Sequence, residues 1–195
     1  LIGSVLAFKQ YNFKDGIFGS PWSGLKNFQM LFIYGDIWAI IRNTILYNVS
    51  WLILNLVIQV STAVLLSELA GKYYKKFCQS AMLLPYFISY VILGAFAYNF
   101  FNYEYGSLNS ILKSIGAEPV NVYGTPWVWI FILTGANMWK GLGYGTVLYL
   151  AAITGIDKEY YEAARIDGAS LFQQITKITV PMIKPVMIIT TLLGI

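Results

Sequence analysis

Residues 43–67 read NTILYNVSWLILNLVIQVSTAVLLS, 25 consecutive positions without a charged side chain. A helix needs about 20 apolar residues, at about 1.5 Å each, to cross the roughly 30 Å hydrocarbon core of a bilayer. Further uncharged runs of comparable length lie between Lys76 and Glu104, between Glu118 and Lys140, and between Lys140 and Asp157. These runs predict a polytopic membrane protein.

The composition excludes several other classes of protein. Hydrophobic residues make up 57% of the 195 positions and charged residues only 11%, with a mean hydropathy of +0.61. Soluble domains carry about 25% charged residues. The charged residues of this chain are therefore too few to cover the surface of a soluble domain of this size. The chain has no His and a single Cys, Cys78. We therefore expect neither a metal site of the His/Cys kind nor an intrachain disulfide.

The uncharged runs predict an all-α fold, a polytopic transmembrane helix bundle. Only helix bundles and closed barrels cross lipid, and nothing here alternates with the period of a barrel strand. We place complete spans at 38–68, 78–101 and 126–154, and half-spans at 1–8 and 182–195. The half-spans indicate a bundle truncated at both ends.

Basic residues indicate the orientation of the spans. The connections 69–78 and 155–184 carry seven basic residues in 40 positions, whereas 9–36 and 102–125 carry four in 52. The positive-inside rule places the first two connections in the cytoplasm. The same rule accounts for the net charge of +4, so we expect membrane lipid and no nucleic acid as a partner.

Segment 155–181 predicts two short helices joined at a glycine. Asp157 is a plausible N-cap, and the first helix should stop at Gly168, which accepts positive φ. Ser170 and Gln173 have capping-box spacing for a second helix, which Pro181 should end. The geometry alone fits a plain linker and a docking element equally well.

The residues of this unit resemble the EAA loop of permeases from binding-protein-dependent ABC importers. That pattern is Glu-Ala-Ala, three residues, Gly, nine residues, then Ile-x-Leu-Pro, and only Val180 departs from it. Other segments resemble the carbohydrate-uptake branch, and two of them resemble its oligosaccharide and polysaccharide permeases. The matching segments are Glu162-Ala163-Ala164, Asp167-Gly168-Ala169, Ile178-Thr179-Val180-Pro181, Pro185, Pro21–Phe28, Asn43-Thr44, Tyr149–Ile153, Leu84–Ser89 and Trp139-Lys140-Gly141.

The resemblance implies a type I importer permease fold, of the MetI-like kind. It implies that 1–37 holds the end of a first membrane helix and an extracytoplasmic loop with interfacial segments. The transmembrane core would be 38–195, with 155–181 as its cytoplasmic coupling loop. The implied ATPase-coupling residues are Glu162, Ala163, Ala164, Asp167, Gly168, Ala169, Ile178 and Pro181.

The resemblance also implies the partners and the cofactors. They are a second permease subunit, a cytoplasmic ATPase dimer, an extracytoplasmic solute-binding protein and a carbohydrate substrate. No cofactor is expected on this chain, and ATP-Mg is expected in the ATPase. Consistent with that division, the 195 residues contain no G-x-x-x-x-G-K-[ST] phosphate-binding loop. The expected location is the prokaryotic plasma (inner) membrane, as a multi-pass protein.

Lys140 lies in the middle of the predicted span 126–154. A charge at that depth costs about 2.5–3.5 kcal/mol or more, so Lys140 should face a cavity or a partner. It either lines a sugar path, where it could bind a sugar carboxylate, or binds backbone carbonyls or an acid on another subunit. The candidate substrate path comprises Asn137, Trp139, Lys140 and Tyr144. The Gly141-x-x-x-Gly145 spacing permits close helix packing or local bending, and it favours packing.

The predicted function is that of a non-enzymatic permease subunit of an ATP-driven carbohydrate importer. One alternative is a permease of the same fold for another solute, such as an amino acid or peptide. A non-transporting membrane scaffold is a further alternative. An integral membrane enzyme is disfavoured, because the predicted spans contain no clustered acids and no His or Cys ligand sets.

Overall fold

The computed structural model describes residues 2–33 and 36–194. Within these ranges all regular secondary structure is helical, apart from one isolated antiparallel bridge between Lys9 and Trp22. The all-α prediction is therefore confirmed. The chain divides into two compact units, 1–49 and 50–195. Positions 1, 34, 35 and 195, which fall in the predicted half-spans and outer loop, lie outside the described residues.

The first unit contains short helices held together by backbone and side-chain hydrogen bonds. Within the predicted half-span 1–8, residues Ile2–Phe8 form a 3-10 helix, which at seven residues is longer than most helices of this kind. It is followed by α1 (Gly16–Gly19), α2 (Lys26–Ile33) and the start of α3 (Asp36–Glu68). The Asn27 amide donates to the carbonyls of Ala7 and Lys9, both at 3.0 Å, which joins α2 to the 3-10 helix.

The second unit contains the remainder of α3 and the helices that follow it. Its core joins α3, α7 and α10 through buried apolar side chains. The helices are α4 (Lys72–Leu83), α5 (Tyr90–Phe101), α6 (Ser107–Ser114), α7 (Pro126–Thr154), α8 (Lys158–Ile166), α9 (Leu171–Gln174) and α10 (Val180–Leu193). The core residues are Val60, Ala63, Val64, Leu66, Tyr149, Leu150, Ile153 and Ile183.

Two described stretches are long and apolar enough to cross a membrane, Ile37–Glu68 and Leu171–Leu193, and the bent pair α4–α5 could be a third. The first agrees with the span predicted at 38–68. Helix α7 has the bounds predicted for the span 126–154. It is not among the stretches that are apolar enough by composition to cross a membrane, and it carries Asn137 and the charged Lys140.

The segment predicted as a span at 78–101 is not one straight helix. The first helix begins at Lys72, passes into a 3-10 turn at Leu84–Phe87, and meets α5 at an angle of 88°. Pro85 lies in that turn and has no backbone N–H to continue the helix. The Ser89 hydroxyl then caps α5 by accepting a hydrogen bond from the Ile92 N–H at 3.2 Å. We call the segment 84–89 the joint.

Candidate functional site

Helix α8 begins and ends at the predicted residues. The Asp157 carboxylate accepts a hydrogen bond from the Glu159 N–H at 3.1 Å, which confirms the predicted N-cap. Glu159 lies in the first turn and Arg165 in the last. Both charges therefore complement the helix dipole. The exposed Glu162 side chain lies between them on the helix surface.

Gly168 ends α8 in a Schellman motif, with φ at +75°. The Ala169 N–H donates to the Ala164 carbonyl at 2.8 Å, and the Gly168 N–H donates to the Arg165 carbonyl at 3.1 Å. These are the two hydrogen bonds of the motif, which needs a left-handed residue at this position. No atom lies within 4 Å of where a Gly168 Cβ would be. Backbone conformation, rather than crowding within this chain, therefore requires glycine here.

The second short helix begins with the predicted capping box. The Ser170 hydroxyl accepts from the Gln173 N–H at 3.4 Å, and the Gln173 side chain accepts from the Ser170 N–H at 2.8 Å. The buried Gln174 amide donates to the Ala169 carbonyl at 2.9 Å. The turn between α8 and α9 is thus bonded on both sides of Gly168.

Pro181 does not end the second helix, contrary to the prediction. The helix continues through a π-helical stretch, Ile175–Thr179, directly into α10. A proline ring would clash with the carbonyl four residues earlier in a regular α-helix. The π-helical stretch, in which the Val180 N–H bonds the Ile175 carbonyl, adds a residue to the turn just before Pro181. We call residues 157–180 the coupling element.

A cavity of about 290 Å³ lies in the coupling element, where α8 meets α9. Its lining is Ala164, Asp167, Gly168, Ala169, Gln173, Gln174, Lys177 and Ile178. Five of the eight coupling residues implied by the resemblance therefore meet at one cavity. The other three, Glu162, Ala163 and Pro181, are exposed. A hydrogen bond of 2.9 Å between the Tyr161 and Thr179 hydroxyls joins α8 to the π-helical stretch, and sequence reasoning missed this pair.

Lys140 is buried at the joint, with 7% of its surface exposed. Its ammonium donates to the carbonyls of Pro85 at 3.5 Å and Tyr86 at 3.2 Å, and to that of Ile88. The Tyr90 ring lies over it, with the centroid 4.6 Å from Nζ. Of the two roles considered for Lys140, the geometry supports binding to carbonyls.

The remaining path candidates do not form one group. Asn137, Lys140 and Tyr144 share a face of α7, whereas the half-exposed Trp139 lies on the opposite face by helical spacing. Tyr144 stacks on Tyr86 of the joint, with ring centroids 4.9 Å apart and planes 11° apart. Tyr86 was missed because only the fold brings it to Tyr144.

Polar contacts between α3 and α7 form a ladder. Trp51 donates to the Thr134 hydroxyl at 3.0 Å, Asn55 to the Asn137 side-chain oxygen at 2.8 Å, and Gln59 to the Gly141 carbonyl at 3.0 Å. Sequence reasoning missed Asn55 and Gln59. Their spacing of four residues in an otherwise apolar span was the available signal, because residues four apart share a helix face.

Gly141, Gly143 and Gly145 of α7 pack against neighbouring helices, and for Gly141 and Gly145 this close packing agrees with the prediction from their spacing. A Cβ on Gly145 would overlap the Gln59 side chain, and a Cβ on Gly143 would overlap the Met82 backbone. In membranes, small residues permit such close helix approach. The glycines of α7 therefore allow both the polar ladder and the contact with α4.

Comparison with known proteins agrees with this architecture. The family model described as "Binding-protein-dependent transport system inner membrane component" matches residues 42–195. The polygalacturonan/rhamnogalacturonan transport system permease protein YteP of Bacillus subtilis (strain 168) is 34% identical over 195 residues. That match covers 99% of this chain and 60% of the relative, so the chain spans less than two thirds of that protein.

Solved structures show the same fold. A bacterial ABC transporter involved in the import of the acidic polysaccharide alginate contains a chain that is 32% identical, with a TM-score of 0.81. The similarity covers 99% of this chain and 64% of that one. A second structure is the bacterial alginate ABC transporter in complex with an alginate pentasaccharide-bound periplasmic protein. Its matching chain is 32% identical with a TM-score of 0.80, and the match covers 99% of this chain and 63% of that one. The chain belongs to the family of binding-protein-dependent transport system inner membrane components.

Proposed function

We propose that this chain is part of the membrane-spanning permease of an ATP-driven importer for an oligo- or polysaccharide. The observation that carries the proposal is the coupling element, an exposed helix–glycine–helix unit in which five of the eight implied coupling residues meet at one cavity. The similarity to a polygalacturonan/rhamnogalacturonan permease and to an alginate importer favours a carbohydrate over an amino acid or peptide.

The coupling element suits transmission of force from a cytoplasmic partner. Helix α8 has an exposed surface that includes Glu162, and its C-terminus is fixed by the Gly168 motif. The second short helix is continuous with α10 through the π-helical stretch. A displacement of α8 would therefore reach α10 through the Tyr161–Thr179 hydrogen bond and through the chain itself.

The face of α7 that holds Asn137 and Tyr144 is the candidate substrate path. The stacked rings of Tyr86 and Tyr144 are about half exposed, at 46% and 49%. Aromatic faces can cover the apolar C–H patches of a sugar ring while the phenol groups bind hydroxyls. Trp139, on the other side of the helix, is not part of this surface.

The proposal includes the partners of the assembly. ATP-Mg would be bound by a cytoplasmic ATPase dimer and not by this chain. A second permease subunit would complete the path, and an extracytoplasmic solute-binding protein would deliver the sugar. The multi-pass chain would lie in the plasma membrane of a prokaryote, with 69–78 and 155–184 in the cytoplasm.

Affinity purification of the full-length permease from its native membrane tests this proposal. We expect a chain with a phosphate-binding loop and a second multi-span protein to co-purify. Reconstituted vesicles should take up an oligosaccharide, such as trigalacturonate or maltotriose, only when ATP and the binding protein are supplied. Uptake without ATP, or purification without any ATPase, would contradict the proposal.

Labelling tests the orientation separately. A cysteine at Ser114 should react with an impermeant thiol reagent added outside, and a cysteine at Lys158 should not. Cys78 is replaced by alanine in both variants, so that only the introduced thiol is labelled. The reverse pattern would show that the coupling element lies outside the cell.

A further inference from the structure

The joint leaves backbone carbonyls without their helical partners. The carbonyls of Tyr86 and Ile88 lie where α4 has ended and α5 has not yet started, whereas the Pro85 carbonyl accepts the Ile88 N–H at 3.1 Å within the turn. A buried polar group without a partner costs several kcal/mol in an apolar medium, on the order of 2–7 kcal/mol. Broken helices at membrane depth are therefore found only where other groups satisfy the free backbone.

Lys140 provides partners for the Tyr86 and Ile88 carbonyls and a second donor for the Pro85 carbonyl. An ammonium has three N–H donors, and the structure shows three carbonyl acceptors around it. The positive charge also lies at the carbonyl end of α4, where the helix dipole is negative. The Tyr90 ring covers the ammonium. The lysine is 52 to 55 residues away along the chain from these acceptors, so it ties α7 to the joint.

We propose that Lys140 is the positioning residue of the joint: it fixes the bend between α4 and α5 and holds Tyr86 against Tyr144. Tyr86 accepts a hydrogen bond from Lys140 through its carbonyl, and its ring stacks on Tyr144. Tyr144 lies four positions after Lys140 on α7. Displacement of the joint from Lys140 would separate the two rings. Because its three donors are engaged, Lys140 does not recognise a carboxylate on the substrate.

Spin labels on the two arms of the joint measure the bend directly. Cysteines replace the exposed Lys76 and Ala95, Cys78 is changed to alanine, and the full-length permease is held in lipid nanodiscs. The distance distribution should show one narrow peak. Lys140→Met should shift this peak and broaden it, and Lys140→Arg, which retains a charged donor, should restore it. The matched control is Lys72→Met, which removes an exposed lysine of α4.

An unchanged peak in Lys140→Met would overturn the proposal. Lys140→Gln keeps two N–H donors without the charge. If Lys140→Met does not accumulate, the spin-label distance is measured in Lys140→Gln instead. We expect an intermediate broadening for Lys140→Gln. A distribution identical to that of the unsubstituted protein would equally overturn the proposal. This distance measurement does not depend on transport.

The statement about substrate charge rests on the proposed function and is tested by uptake. Lys140→Met should raise the KM for trigalacturonate and for maltotriose by the same factor, because both would lose the Tyr86–Tyr144 surface. A selective loss of trigalacturonate uptake would show that Lys140 binds the carboxylate. Should the unsubstituted transporter take up neither sugar, the carbohydrate assignment fails while the distance measurement still decides the role of Lys140.

Discussion

The coupling element and the joint are both interrupted helices, yet different contacts hold them. The turn at Gly168 is closed by hydrogen bonds between residues at most five positions apart, and its surface is exposed. The joint is held by Lys140, more than 50 residues away in the chain, and that side chain is buried. A substitution in the coupling element should therefore act locally. A substitution around the joint should act on the assembly of the bundle.

The largest expected effect comes from crowding the helix that carries Lys140. Gly143→Leu would force a side chain into the Met82 backbone, which cannot move without displacing α4. Overpacking that forces backbone to shift typically costs about 1–3 kcal/mol, and more in some cases. We expect the variant to accumulate poorly and to lose resistance to unfolding in detergent titration.

Gly135→Ala is the matched control on the same helix. No atom lies within 4 Å of the added Cβ at that position, and alanine favours a helix by about 1 kcal/mol over glycine. Stability should be unchanged or higher. If both glycine variants behave alike, close packing of α7 against α4 does not hold the joint.

This contrast also explains what could be predicted from the sequence. The bounds of α7, the Asp157 cap, the Gly168 turn and the Ser170 capping box follow from signals within a few residues. The 88° bend does not follow from the sequence, because Pro85 indicates a kink but not its angle. That angle depends on α7, whose contact with the joint is long-range.

The continuation of the helix past Pro181 was not predicted for the same reason that contacts were missed: it depends on residues that are not neighbours in the sequence. Proline normally stops an α-helix, and a π-helical stretch before it is the less common solution. Here the Tyr161–Thr179 hydrogen bond lies at that stretch. The Asn55–Asn137 and Tyr86–Tyr144 pairs likewise join distant parts of the chain. The residues around each position do not indicate which distant residue it will contact.

Gly168→Val is the next largest change and tests the coupling element alone. The left-handed conformation costs an L-residue about 1–2 kcal/mol, and a β-branched side chain suits it poorly. The spans should still insert, so we expect normal amounts in the membrane. Sugar uptake should be lost, with the ATPase either absent from the complex or no longer stimulated by substrate.

Gly168→Asn is the control for this substitution, because asparagine tolerates left-handed backbone better than other residues. Glu162→Lys probes the exposed face of α8 without changing the turn, and should also abolish uptake. Uptake and ATP hydrolysis are measured together in vesicles. Normal transport by both Gly168→Val and Glu162→Lys would show that the coupling element is only a linker.

Ser170→Ala should have a smaller effect in the same element. It removes the hydroxyl that accepts from Gln173 N–H, and the loss of such a cap costs about 1 kcal/mol. Amide exchange in α9 should accelerate, while exchange in α7 should not change. Ser170→Asp, which can accept the same hydrogen bond, should restore protection. Faster exchange throughout α7 would contradict the local character of this element.

The smallest expected effect is the loss of one rung of the polar ladder. Asn55→Leu removes the amide that donates to Asn137 at 2.8 Å. Hydrogen bonds between membrane helices contribute about 0.6 kcal/mol on average, because unfolded helices in lipid also find partners. A double-mutant cycle with Asn137→Leu should give a coupling energy of that order in reversible unfolding. Asn48→Leu is the control, since the one hydrogen bond of the Asn48 side chain to another described residue is to the Thr44 carbonyl of its own helix, at 2.8 Å. A cycle with no coupling would show that glycine packing and Lys140, rather than the ladder, hold α7 beside its neighbours.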